Sequence, residues 1–261
     1  MINRLCSSSA LINMLIDFCL PVKNEENILL SNALKLKDFL VGIKPGYDWR
    51  IVIIVNGSDD SSFSIAQSLA SDHPDFFQAR VLPSGGKGLA LKTYFQESPA
   101  DILAFMDIDL AVSLENIPFL LEPILADQAD LAVGSRLLSG SRTDRSWWRG
   151  LSSQGYNHLA RLFFNHGIHD LQCGFKAMKR DLFRRVHDYL LDDKWFFDTE
   201  LIIFASQLGH RIVEIPVDWE ESRYAIRKSK IKVLSDGYLF LRNLLGLRKR
   251  FRAIKKHPDN V

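Results

Sequence analysis

The chain has 261 residues, 47% hydrophobic and 25% charged, with a formal net charge of +2. That composition excludes a disordered or collagen-like polymer, and so small a net charge argues for no nucleic acid partner. The three cysteines, Cys6, Cys19 and Cys173, form no CxxC or Cys/His spacing, which points to reduced thiols in a cytoplasmic setting rather than a disulfide or zinc scaffold.

No run reaches the ~20 apolar residues of a membrane span. The stretch ALINMLIDFCL is interrupted by Asp17 and has no small-residue cleavage site after it. It therefore reads as a first core strand, Met14–Leu20, rather than as a signal-peptide core. Further strands are predicted at Arg50–Val55, Gln78–Leu82, Ile102–Met106 and Leu131–Ser135. Helices are predicted between them over Glu25–Val41, Asp60–Ser71, Gly88–Gln96 and Leu114–Ala126. This alternation predicts an α/β fold with a mostly parallel sheet flanked by helices, and ligands at the carboxyl ends of the strands.

The second half reads as a long helix over Trp147–His166, a strand at Gln172–Met178, helices at Asp181–Leu190 and Phe197–Leu208, and a strand at Arg211–Val217. Apolar residues at 233, 234, 238, 241, 244, 245 and 247 recur with a helical period, so Ile231–Ile254 is predicted as an amphipathic helix. From Glu221 to Val261 twelve Lys/Arg face three acids, Glu221, Asp236 and Asp259. The expected organisation is a main domain over residues 1–230 and a basic helical tail over 231–261. Such a tail suits an anionic membrane surface, or it packs on the domain or on a second subunit of a homo-oligomer.

Candidate site residues cluster after the predicted strands. PVKNEEN (Pro21–Asn27) follows the first strand, where Asn24 or Asn27 is placed to cap the next helix and Glu25 to complement its dipole. No GxGxxG is present, which argues against a dinucleotide fold. VNGSDDSS (Val55–Ser62) is a turn with Gly57 supplying backbone freedom. PSGGKGLALKTY (Pro83–Tyr94) joins glycines, Lys87 and a helix start, an anion-friendly combination of backbone N–H groups and an ammonium.

LAFMDIDLAV (Leu103–Val112) ends a buried strand with Asp107 and Asp109. Two residues apart on a strand, they share a face. Bare carboxylates placed together repel unless a cation joins them, and oxygen ligands of this kind suit Mg²⁺ or Mn²⁺. The competing reading is a solvated turn before the next helix. VGSR (Val133–Arg136) places Arg136 where paired N–H donors can hold a phosphate. Arg142, Arg145 and Arg149 follow beside Trp147 and Trp148, as at a membrane–water interface or in an exposed loop. In DLQCGFKAMKR (Asp170–Arg180), Gly174 suggests close backbone approach to another group. In WFFDTEL (Trp195–Leu201), Asp198 and Glu200 either complement a helix dipole or, facing the Asp107 cleft, orient a sugar hydroxyl or act as a base.

In this order the pieces PVKNEEN, NGSDD, GGKG, MDIDLA, VGSR, DLQCGFKAMKR, WFFDTEL and IPVDWEE resemble family-2 glycosyltransferases, over Pro21 to Glu221. The likeness is greatest to the dolichyl-phosphate β-glucosyltransferase branch and its bacterial polyprenyl-phosphate relatives. The resemblance implies a GT-A fold that binds a nucleotide-sugar such as UDP-glucose. It places Pro21, Asn24 and Glu25 at the nucleotide. Asp107 and Asp109 match the family's DxD carboxylates facing the metal–diphosphate, with Lys87 and Arg136 around the phosphates. Gln172, Trp195, Asp198 and Glu200 line the sugar and acceptor side. One departure is Val55, where the family usually has an acid before the Asn or Asp. Either Asn56 substitutes through its amide, or the donor preference differs.

The chemistry that fits is inverting transfer of a hexose to a polyprenyl phosphate, with Arg136, Arg145 and Arg149 positioning the acceptor phosphate. A phosphate oxygen is already anionic and needs no strong base. A hydroxyl acceptor would need one, with Asp198 in that role. A third reading is a lapsed transferase that only binds a nucleotide-sugar. A lipid acceptor would place the chain peripherally on the cytoplasmic face of the membrane, through the basic C-terminal helix.

Overall fold

The computed structural model describes residues 14–144, 147–220 and 233–256. The first half alternates strands and helices: β1 (Leu15–Val22), α1 (Glu26–Ile43), β2 (Asp48–Asn56), α2 (Ser62–Asp72), β3 (Phe77–Leu82), α3 (Lys87–Glu97), β4 (Ile102–Met106), α4 (Ile117–Leu125) and β5 (Leu131–Ser135). In α1 the buried residues are Leu29, Ala33, Leu36 and Leu40, the three- and four-residue spacing of one helical face. The predicted helix over Leu114–Ala126 divides into a 3₁₀ turn at Leu114–Asn116 and α4, whose first turn accommodates Pro118. The second half holds β6 (Arg142–Asp144), α5 (Trp147–Phe164), β7 (Phe175–Lys179), α6 (Arg180–Val186), α7 (Phe197–Gln207), β8 (Ile212–Pro216), β9 (Asp218–Glu220) and α8 (Val233–Lys256).

Seven strands form one sheet in the order β3-β2-β1-β4-β7-β5-β8. Only the β4–β7 and β7–β5 pairs are antiparallel, so β7 runs against the rest. The chain moves outward from β1 to β2 and β3, then returns to place β4 on the other side of β1. That reversal is the switch point at which open α/β sheets bind ligands. Because β7 is reversed, the segment before Phe175 arrives at the edge where β4 and β5 end. The strand-like stretch Gln172–Met178 carries no sign of this direction in its sequence. β6 and β9 form a separate two-stranded ribbon. Three residues each are too few to show a period, and the sequence reading does not contain them. A bridge between Val112 and Trp219 brings this ribbon to the loop after β4.

Alternate residues of the central strands feed two cores. Cys19, Val52, Ile54, Leu103 and Phe105 pack with α3, α6 and α7 on one face. Ile16, Phe18, Ile51, Ile53 and Ala104 pack with α1, α2 and α4 on the other. Asp17, which interrupts the first apolar stretch, is wholly buried. It accepts hydrogen bonds from Arg50 at 2.9 Å, the Tyr94 hydroxyl at 2.7 Å and the Ser98 hydroxyl at 2.6 Å, as a buried carboxylate must.

The helix predicted as a tail joins the first of these cores. Leu244, Leu247 and Phe251 of α8 are buried there with Ala160, Phe164 and Phe204. The Phe251 ring centroid lies 4.5 Å from that of Phe204. Arg250 donates to Glu200 Oε1 at 2.6 Å. Leu241 and Leu245 stay exposed, so adjacent stripes of one helix face the core and the solvent. Among the described residues no helix is long and apolar enough to cross a membrane.

Candidate active site

β4 delivers Asp107 at its carboxyl end, and the chain then turns. The Leu110 N–H donates to Asp107 O at 3.2 Å, with Leu110 at φ 52°. A left-handed leucine costs about 1–2 kcal/mol, and burial of its side chain in the core offsets this. Asp107 and Asp109 therefore reach one cleft by a tight turn, not by the strand alternation expected from their spacing. Asp109 Oδ1 accepts the Ala111 N–H at 3.0 Å, which fixes its rotamer. The cleft opens to solvent; Arg136, Gln172, Gly174 and Trp219 line it with the two aspartates. A Cβ on Gly174 would stand 2.1 Å from Asp107 Oδ2, so only glycine lets this backbone lie against the carboxylate.

Behind Asp107 is a buried array of charges. Lys87 Nζ lies 3.0 Å from Asp107 Oδ1 and 3.2 Å from Asp198 Oδ2. The other Asp198 oxygen is 2.5 Å from Lys176 Nζ, which also donates to Cys173 O at 2.5 Å. Burial works against the charge on Lys87, but Asp107 and Asp198 more than offset it and hold the ammonium well above its ordinary range. Burial likewise opposes ionisation of Asp198, and Lys176 and Lys87 reverse that, keeping the carboxyl below the usual carboxylate range. With both oxygens occupied by ammonium groups, Asp198 is not placed as a base for a hydroxyl acceptor. Lys176 was missed from sequence. Its signal was a lysine inside the buried strand FKAMK, which must find a partner.

The GGKG segment also differs from expectation. The Gly88 and Leu89 N–H groups donate to Lys194 O at 3.1 Å and Asp193 O at 3.0 Å. Gly86 N–H donates to Asn56 Oδ1 at 3.0 Å. The Gly88 and Leu89 donors dock the loop before α7, the Gly86 donor holds the end of β2, and none of the three is open to a phosphate. Their effect is to fix the Lys87 backbone, with Nζ 5.4 Å from the ring centroids of both Phe105 and Trp195.

Arg136 is held by Asp170. Its Nε and Nη2 donate to the two Asp170 oxygens at 2.7 and 2.9 Å, and its backbone N–H adds a third bond at 3.1 Å. Burial raises the Asp170 carboxyl and Arg136 lowers it further, leaving it at about 2. Arg136 thus lines the cleft with its fork already paired. Gln172, whose N–H donates to Asp170 at 3.1 Å, lines the same wall. Asp170 opens the DLQCGFKAMKR stretch, where nothing local in the sequence marks it as the partner of Arg136.

Beyond the ends of β1 and β2 two motifs interlock. Asn24, at φ 56°, accepts the Asp59 N–H at 3.0 Å through its side-chain oxygen and donates its own N–H to the Ser58 hydroxyl at 3.1 Å. Glu25 N–H donates to Ser62 at 2.9 Å. Pro21 sits in β1 opposite Ile54 of β2. Asn56 is buried, and its amide donates to Val22 O at 2.9 Å. Asn56 therefore ties β1 to the GGKG loop, which corrects the expectation that its amide stands in for the acid missing at Val55. Glu200, expected beside the sugar, is likewise turned to structure: it accepts the Asp192 N–H at 2.8 Å and pairs with Arg250. Trp195 is 57% exposed beside Lys87. Arg145 and the Arg149 side chain lie outside the described residues.

Among the described residues no three His, Cys, Asp or Glu side chains converge as a metal cage. An ion held by Asp107 and Asp109 would draw its remaining ligands from water and substrate oxygens. That incomplete, all-oxygen set fits Mg²⁺ or Mn²⁺. A family model, Glycosyl transferase family 2, matches residues 17–186. The chain belongs to glycosyl transferase family 2. The matched span holds every cleft-lining residue named above except Trp219.

Two curated relatives extend the likeness. Glycosyltransferase AglD of Haloferax volcanii is 33% identical over 201 residues, covering 77% of this chain and 32% of that protein. Dolichyl-phosphate beta-glucosyltransferase ALG5C of Trichomonas vaginalis is 27% identical over 225 residues, covering 83% of this chain and 66% of that protein. The chain thus spans about a third of one and just under two thirds of the other. Glucosyl-3-phosphoglycerate synthase from Mycobacterium tuberculosis, solved with Mn²⁺, UDP and phosphoglyceric acid, matches with a TM-score of 0.64 and 16% identity, over 90% of this chain and 77% of that one. That likeness speaks for the fold, and the fold of this family-2 chain is GT-A, as expected.

Proposed function

We propose that this chain transfers a hexose, with inversion, from a nucleotide-sugar resembling UDP-glucose to a polyprenyl-phosphate lipid. The observation that carries this reading is the clamping of Asp198 between Lys87 and Lys176. A hydroxyl acceptor needs its proton removed as the bond forms, and Asp198, buried with each oxygen paired to an ammonium and its carboxyl held below the usual range, is too weak a base for that. A phosphate acceptor is already anionic. Its oxygen attacks the anomeric carbon from the face opposite the diphosphate, the bond to the diphosphate oxygen breaks, and the diphosphate leaves with the electron pair. The work left to the protein is alignment.

Asp107 and Asp109 are the residues to hold Mg²⁺ or Mn²⁺; the ion, when bound, would act as a Lewis acid on the departing diphosphate. The Mn²⁺ and UDP of the mycobacterial synthase support this choice of ion and donor. Gln172 and Trp195 face the sugar side, and Pro21, Asn24 and Glu25 the nucleotide. The dolichyl-phosphate acceptor implied by the name of the Trichomonas relative supports a lipid phosphate here. Exposed Leu162, Leu239, Leu241 and Leu245 on α5 and α8, beside the basic Arg242, Arg248 and Lys249, suit the cytoplasmic face of an anionic membrane.

The test is a panel of nucleotide-sugars incubated with undecaprenyl phosphate and Mg²⁺ or Mn²⁺, with products read by mass. A hexosyl-phospholipid is the expected product. Transfer to hydroxyl acceptors alone, or donor binding without turnover, overturns the proposal.

A further inference from the structure

Lys87 stands in an unusual place for a phosphate-binding lysine: its ammonium is already bonded to the carboxylate that is to receive an ion. We propose that Lys87 is a resident counter-cation that occupies Asp107 until a donor diphosphate draws it away, so that divalent ion and nucleotide-sugar load together and a bare ion is discriminated against. This rests on the reading of Asp107 as an ion ligand.

The geometry gives the lysine a fixed rear and a movable front. Lys176, with no exposed side-chain surface, holds Asp198 from behind at 2.5 Å. Asp198 in turn holds Lys87 at 3.2 Å. The backbone at Lys87 is pinned by the Gly88 and Leu89 bonds to the loop at 193–194. Asp107, in contrast, is 38% exposed and faces the open cleft. The ammonium is therefore shared between a buried carboxylate and a solvent-facing one, on a flexible four-carbon stem.

Two lysines and two aspartates make this group neutral before any ligand arrives. A bare divalent ion approaching Asp107 meets an ammonium 3.0 Å from Oδ1 and must separate that pair against like-charge repulsion. The diphosphate of a nucleotide-sugar brings negative charge that gives Lys87 another partner. Ion and donor then enter as a nearly neutral pair. Lys87 is in this view a positioning residue that couples two binding events, and such coupling is reciprocal.

The test is Mn²⁺ binding to the full chain, followed by electron paramagnetic resonance of the free ion. Without donor, Lys87→Met should bind Mn²⁺ about tenfold more tightly than the wild type, and the gain in affinity on adding UDP should shrink by the same factor. Lys87→Arg, which keeps the charge, should stay close to the wild type. Unchanged or weaker ion binding by Lys87→Met overturns the proposal, as does tightening in the arginine variant equal to that in the methionine variant. If Lys87→Met does not melt cooperatively, the wild type still decides: Mn²⁺ that binds equally well with and without UDP overturns the coupling. Absence of Mn²⁺ binding even with UDP overturns the ion reading of Asp107 together with this one. Equal binding by wild type and Lys87→Met overturns this one alone.

Discussion

Lys176 Nζ lies 2.5 Å from Asp198 Oδ1 where neither side chain meets more than a trace of solvent. Each ion is costly to desolvate alone, and each is tolerated because the other is there. The pair links the reversed strand β7 to the start of α7, beneath the cleft. Removing one partner leaves a buried charge. Lys176→Met and Asp198→Leu should each lose about 3–5 kcal/mol in denaturant unfolding. The double variant should lose clearly less than the sum, which a double-mutant cycle measures directly.

Gly174 tests how tightly Asp107 is placed. Gly174→Ala puts a Cβ 2.1 Å from Asp107 Oδ2, so the carboxylate must move. A displacement near 1 Å at a reacting centre can cost about 10²-fold in rate, and sugar transfer should fall by that order. Gly155→Ala on α5 is the control, with nothing within 4 Å of the added carbon. It should retain activity and raise stability by about 0.5–1 kcal/mol.

His166 predicts a pH dependence of folding. Its Nδ1 accepts the Ile168 N–H at 3.1 Å, a bond lost when that nitrogen is protonated. Burial, with Arg161 nearby, pushes the imidazole down to about 4 from 6.5. The unfolded chain then binds the extra proton more readily, so this contribution is complete above pH 6.5 and is lost as pH falls toward 4. Thermal melting across that interval should show the decline. His166→Asn keeps an acceptor but does not titrate, and its profile should be flatter there.

α8 offers two faces for comparison. Leu247 is 1% exposed in the core shared with α5 and α7. Leu247→Ala should cost about 2–5 kcal/mol. Leu245 is 50% exposed, and Leu245→Ala should leave stability within about 0.5 kcal/mol. In flotation with anionic vesicles at low salt, Leu245→Ala should reduce recovery in the lipid fraction while the folded protein is unchanged. Wild-type protein left wholly in the soluble fraction would remove the membrane surface from the proposed function.

By itself the sequence determined the local elements and the region of the site. β4 at Ile102–Met106 and β5 at Leu131–Ser135 lie where apolar runs end in turn residues, because burial of a short strand is written in consecutive residues. α1 is legible from one stripe of leucines and Ala33. The acidic and basic residues after the strands were legible too, since parallel strands bring their carboxyl ends to one edge. The direction of β7 was not, and with it went the placing of Asp170, Gly174 and Lys176. The role of Asp198 depends on Lys176, 22 residues earlier, and on Lys87, which reaches it across the α3–α7 contact. The GGKG amides looked open because their partners, the carbonyls of 193 and 194, are distant in the chain. Periodicity records which way a side chain faces; it carries nothing about which charge will be buried against it, and only packing settles that.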